Sequence, residues 1–181
     1  QRAEEVFSTF GYKSAGKVEE FNDWDDALAA QQDPRPHKSS ELVHNAVFVD
    51  GGWTLFLDLA GVMWTDTAAC TEASAKLGCR LFAICCAGVT NSYAYGLYDG
   101  TVVRAFWWDA EAGVLEDRGE KLLEEDGVDF EEFGEEAVLT VMERIGVSYS
   151  NLEEVEDFRV FELSLSGSPD AATIPAEAQS V

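Results

Sequence analysis

The sequence predicts an α+β protein: a mainly antiparallel, twisted sheet of about six or seven strands with two or three helices packed on it. Three observations carry that expectation. Residues 92–109 read SYAYGLY-DG-TVVRAFWWD, two alternating runs of aromatic and β-branched residues joined by Asp99-Gly100. That dipeptide favours a two-residue hairpin turn, because both central positions take positive φ. Residues 79–87, CRLFAICCA, are almost continuously apolar and of strand length, which predicts a central strand buried on both faces. Residues 129–145 place Phe130, Phe133, Ala137, Val141 and Ile145 on one helical stripe, stopped by Gly146.

Within the hairpin, a two-residue loop sets Tyr98 against Thr101, Leu97 against Val102, Tyr95 against Arg104 and Tyr93 against Phe106. One face is then bulky and aromatic, with Trp108 continuing it. The other carries Gly96, Ala94, Ala105 and Trp107 and is mostly small. The bulky face reads first as core. Its alternative is a recognition surface for a small ligand at Tyr93, Tyr95, Arg104 and Phe106.

Taking the chain in order, residues 1–21 are expected to hold one or two short strands, with a turn at 14–17. Asn22 is the expected N-cap of a short helix reaching about Gln31. Residues 33–40, DPRPHKSS, form a loop, since two prolines and polar neighbours break any regular element. A second hairpin follows, 47–49 with 53–60 around Asp50-Gly51-Gly52, and Asp58 stands among its apolar neighbours. A helix starts at Thr65 or Asp66 and ends at Leu77 before Gly78. A short strand is expected at 114–117, an acidic loop at 119–127, and a capping-box start at Asp129 with Glu132. A short helix near 152–155 and a strand at 158–165 complete one domain over 1–165. Residues 166–181, rich in Ser, Pro and Ala, read as a flexible tail.

Charge is the most unusual property. Thirty-five Asp and Glu against twelve Lys and Arg give a net charge of −23 and a pI near 4.1. Such a chain repels phosphates, so direct binding of DNA or RNA is not expected. Residues 109–136 hold thirteen acids against Arg118 and Lys121, a net of −11. That concentration favours a directed electrostatic face over a uniformly solubilising surface, although acid runs are commonly just solvated surface.

Other classes lose ground on composition. Hydrophobic residues at 46% supply a sizeable core, but no apolar run is long enough to span a membrane. The opening QRAEEVFSTF lacks the basic and apolar regions of a signal peptide, so a cytoplasmic protein with reduced thiols is expected. Cys70, Cys79, Cys85 and Cys86 lack metal-site spacing, and His37 and His44 lie in or near the polar connector. No metal, cofactor or catalytic site is expected.

The stretches GGWTLFLDL, YAYGLYDGTVVRAF and RGEKLLEEDG, in that order, resemble small acidic bacterial α+β proteins of the toxin-immunity type. The resemblance covers the middle of the chain. It implies a non-enzymatic inhibitor that covers a toxin's active site, and it assigns no residues. The residues themselves point to binding of a basic protein partner, such as a toxin or a nucleic-acid-binding protein. Expected contacts are Glu124, Glu125, Asp126, Glu131, Glu132, Glu135 and Glu136, with Trp107 or Trp108 as aromatic anchor.

Overall fold

The computed structural model describes residues 3–32, 42–50, 52–58, 66–147 and 157–165. They form an α+β fold with antiparallel pairing, as the sequence predicts. In place of one sheet of six or seven strands there are two sheets, each with four strands among the described residues. Contacts divide the chain into two compact units. The first is Gln1–Val49, Thr54–Ala60 and Glu153–Val181; the second is Asp50–Trp53 and Gly61–Leu152.

The first unit begins with a helix, α1 (Ala3–Thr9), and a ten-residue strand, β1 (Tyr12–Phe21), where short strands were expected. Ala3, Val6 and Phe7 lie three and four residues apart and are buried, while Glu4 and Glu5 suit the positive end of the helix dipole. The expected turn at 14–17 is an irregularity inside β1, where the pairing register shifts between Ser14 and Val18. Helix α2 (Trp24–Gln32) is capped by Asp23, not Asn22: the Asp23 carboxylate accepts the Asp26 N–H at 2.8 Å. Strands β2 (Leu42–Asp50) and β3 (Trp53–Asp58) are neighbours, as the second hairpin requires.

The last strand, β8 (Phe158–Leu165), inserts between β1 and β2, giving the order β1-β8-β2-β3. Its side chains of both parities are buried: Phe158 and Val160, and also Phe161 and Leu163. Phe158 meets Trp24 at 5.9 Å and Phe48 at 5.1 Å, and Phe161 meets Phe7 at 5.2 Å. The 33–40 connector with His37, the side chains of His44 and Asp58, the helix expected at 152–155 and the tail 166–181 lie outside the described residues.

The second unit holds α3 (Thr67–Leu77) and a meander of β4 (Leu81–Ala87), β5 (Ser92–Tyr98), β6 (Val102–Asp109) and β7 (Gly113–Gly119). A 3-10 turn (Leu123–Glu125) and α4 (Glu135–Ile145) follow. Helix α3 is bounded as predicted. Asp66 accepts the N–H groups of Ala68 and Ala69, and Gly78 closes the helix in the left-handed conformation. Strand β4 is an edge strand, not a central one. Helices α3 and α4 both contact it, but of its residues only Ala83 is buried and Cys86 is exposed, so it is not the strand buried on both faces that its apolar run predicts; periodicity does not report whether both edges are paired.

The β5–β6 hairpin forms with a three-residue connection, Asp99 to Thr101, and a register irregularity beside it. Tyr98 pairs with Val102, Leu97 with Arg104, Tyr95 with Phe106 and Tyr93 with Trp108. The Gly100 N–H is held by the Ser74 hydroxyl at 2.9 Å, so α3 fixes the shape of the turn. The slip from the expected register is two residues. A slip of two restores the parity of every side chain, so the aromatic face keeps its composition. Helix α4 starts at Glu135 rather than Asp129. Asp129 instead accepts the N–H groups of Glu131 and Glu132 in a local turn. Phe130 and Phe133 therefore reach the core from non-helical chain. They join Tyr95, Phe106, Val138 and Val141 in one cluster.

Candidate protein-interaction surface

The acids of residues 109–136 sort into three groups by what they touch. Some are used inside the protein. Glu116 accepts the Thr67 hydroxyl at 3.1 Å and pairs with Arg118 at 3.3 Å. Asp117 and Glu125 both pair with Arg104. Others hold the backbone: Asp109 accepts the N–H groups of Glu111 and Ala112, and Asp129 those of Glu131 and Glu132. The third group points outward. Asp126, Glu131, Glu132, Glu135 and Glu136 are exposed, Glu124 is half-buried, and none of them makes a salt bridge among the described residues.

Glu125 is thus a correction to the expected contact set. It is only 4% exposed, and its Oε1 accepts from Arg104 Nε at 2.8 Å and from the Leu122 N–H at 3.3 Å. Arg104 is fully buried. Its Nη1 donates to Asp117 and to the Arg118 carbonyl. Burial works against its positive charge, but the bonds to Glu125 and Asp117 outweigh it, and the guanidinium is held above its ordinary pKa. Beside it, burial and then the Glu125 carboxylate push the Tyr95 phenol upward, so it stays protonated. The Tyr95 hydroxyl, Arg104 Nη2 and Glu125 Oε2 are buried without a hydrogen-bond partner among the described residues. Gly119 pairs with Arg104 across the ladder, at φ +83°. A Cβ there would stand 2.1 Å from the Val103 carbonyl oxygen, so only glycine lets β7 close over this cluster.

The acidic turn is held from two sides. Arg104 fixes it through Glu125. Arg144 of α4 donates to the carbonyls of Glu124 and Asp126 at 2.9 and 2.6 Å. Leu123, at its apex, is 92% exposed. The sequence reading missed both Leu123 and Arg144. The Leu122-Leu123 pair beside three acids was the available signal for an apolar residue left outside, since only one of the two can turn inward.

Trp107 and Trp108 occupy successive positions of β6 and point to opposite faces of the sheet. Trp107 is half-buried and donates through Nε1 to the Ser92 hydroxyl at 2.8 Å. Trp108 stacks on Tyr93, with ring centroids 6.4 Å apart, at the rim of the cluster covered by α4. Only Trp108 shares a side of the sheet with the outward acids. The proposed small-ligand face is filled. Tyr95 and Phe106 are each 3% exposed and pack on Phe133, and Arg104 is spent on its two acids. An open depression of about 640 Å³ lies on the α3 side instead, lined by Thr67, Thr71, Glu72, Thr101 and Arg118 among others.

Among the described residues, no three His, Cys, Asp or Glu side chains group closely enough to hold a metal ion. Cys85 and Cys86 are free thiols. Burial, with Asp66 nearby, pushes Cys70 up to about 12. Cys86 is exposed, yet its remaining burial, then Glu135 and Cys85, push it up to about 11. The thiolate is the reactive form. Alkylation of Cys86 by iodoacetamide should therefore be slow near neutral pH and accelerate only as pH approaches about 11. Rapid labelling at neutral pH would contradict that environment.

No helix among the described residues is long and apolar enough to cross a membrane. Compared with known protein families, curated proteins and solved structures, the chain matches none.

Proposed function

We propose that this protein is a non-catalytic binder of a basic protein, acting as an inhibitor of the toxin-immunity kind. One observation carries the reading. Five outward carboxylates, Asp126, Glu131, Glu132, Glu135 and Glu136, are exposed in the second unit without a cationic partner among the described residues. They follow one another along a segment fixed by Arg144 at its start and by Phe133 within it. A surface of one sign steers an oppositely charged partner and raises its association rate. Leu123 is exposed on the acidic turn and Trp108 stands at the edge of the cluster that α4 covers, and each would offer apolar contact to a partner.

The test is capture of basic proteins from an extract of the native host, by the wild-type chain and by a variant with Glu131, Glu132, Glu135 and Glu136 all changed to Lys. The wild type should retain a basic protein that elutes as salt rises. The variant should associate at least about tenfold more slowly. Equal capture by both, insensitive to salt, would remove the electrostatic basis of the proposal.

A further inference from the structure

The turn at Leu123–Glu125 is held by more than its own backbone. Glu125 and Asp126 donate their N–H groups to the Leu122 and Leu123 carbonyls at 3.1 and 3.2 Å. Glu125 Oε1 returns to the Leu122 N–H, and Arg104 clamps the same oxygen at 2.8 Å. From α4, Arg144 takes the carbonyls of Glu124 and Asp126. Cations from two different elements thus fix Glu124, Glu125 and Asp126 in turn. Stability does not account for this arrangement. Replacing a buried ion pair by apolar groups is often neutral or favourable. Here Arg104 Nη2 and Glu125 Oε2 are also buried without a partner among the described residues, which costs further. The apex adds no burial either: Leu123 is 92% exposed, while Leu122 beside it is half-buried.

A fixed turn with a bare apolar apex is shaped in advance for a partner, because ordering a loop on binding costs affinity that a preformed loop keeps. Charge selects the partner. Residues 119–127 hold Glu120, Glu124, Glu125 and Asp126 against Lys121 alone. The Lys121 Nζ lies over the Phe130 ring, 4.4 Å from its centroid, and Glu125 is spent on Arg104. Glu120, Glu124 and Asp126 make no salt bridge among the described residues. We infer that Leu123 seats in an apolar socket rimmed by Lys or Arg on the basic partner, with Arg104 and Arg144 as the positioning residues that hold the turn ready. The assignment rests on the basic-partner reading and deepens it: the outward carboxylates set how fast the partner arrives, and Leu123 sets how long it stays.

The probe is the basic protein that the full wild-type chain retains and releases with salt, purified from that eluate; binding kinetics are followed across ionic strength. Leu123→Ala alters a side chain that is already exposed, so folding is untouched. Its complex should dissociate about tenfold faster or more, with the association rate and its salt dependence unchanged. The double variant Arg104→Met/Glu125→Leu replaces the buried pair with apolar side chains and frees the turn. Amide exchange at residues 123–126 should rise about tenfold or more, and affinity for the same protein should fall about tenfold, while the unfolding midpoint stays near the wild type's. A photoactivatable leucine analogue at position 123 should crosslink to the basic protein. Retention of no basic protein by the wild type would remove the parent reading and this one together. With a partner retained, wild-type dissociation from Leu123→Ala would overturn the socket alone and leave the electrostatic reading standing, as would a crosslink to a second copy of this chain. A double variant whose turn exchanges no faster, or which binds like the wild type, would overturn the positioning role of Arg104.

Discussion

Arg104→Met should destabilise the second unit by about 3–5 kcal/mol, the cost of leaving a buried charge without its partner. Arg104 is fully buried and Glu125 is 4% exposed, so water does not reach in to replace the lost guanidinium. Met retains much of the volume, which separates the electrostatic loss from a packing loss. Asp117 suffers less, because its side chain is 54% exposed. The double variant Arg104→Met/Glu125→Leu should recover most of the stability, since replacing a whole buried ion pair with apolar groups is often neutral or favourable. Urea unfolding followed by near-ultraviolet signals of Trp107 and Trp108 measures both. A single-variant cost below about 1 kcal/mol, the range of exposed pairs, would show that the two charges do not depend on each other.

The second large effect is expected at Phe133. This ring is 2% exposed and meets Phe106 at 4.8 Å, Phe130 at 5.7 Å and Tyr95 at 6.0 Å. Phe133→Ala should cost about 3–5 kcal/mol, from lost burial and the cavity left behind. The loss should not stay local. Phe133 ties the non-helical segment before α4 to the sheet, and that segment carries Glu131 and Glu132. Hydrogen exchange at residues 128–134 should accelerate in the variant even where the helix amides of α4 remain protected. Thermal or urea unfolding within about 1 kcal/mol of the wild type would mean that the segment is held by other contacts.

The parts of the fold legible in the sequence were those set by local chemistry. Asp66 and Gly78 bound α3 because a cap and a left-handed glycine act within a few residues. The aromatic face of β5 and β6 was read with the right members but the wrong partners. Asp99-Gly100 suggested a two-residue turn, and Ser74, distant in sequence, shaped a three-residue one. Asp129 and Glu132 looked like a helix start, and Asp129 does bind the following N–H groups, but the two phenylalanines are drawn into the core before the helix begins. The pairing of β8 with β1 and β2 left no local trace.

The candidate site shows the same division. Glu124, Glu125 and Asp126 are indistinguishable as letters. Arg104, twenty-one residues before Glu125, draws that one carboxylate inward and leaves its neighbours facing solvent. The acidity of the segment was plain from the sequence; which acids are spent internally depended on a buried cation that also belonged to the aromatic hairpin. Trp107 and Trp108 were expected as a choice between two anchors, and strand alternation resolves it by turning Trp107 to the other face.

The strand order of the first unit constrains how a nascent chain matures. Tyr12 at the start of β1 finds its partner only at Leu165, and β2 also lies against that last strand. The whole of Gly61–Leu152 leaves the ribosome before β8 does. During synthesis the second unit can complete its sheet while β1 and β2 still lack the strand that belongs between them. Strands β1 and β2, made before the second unit, are therefore among the last to close, and until then they depend on being kept from pairing with other chains.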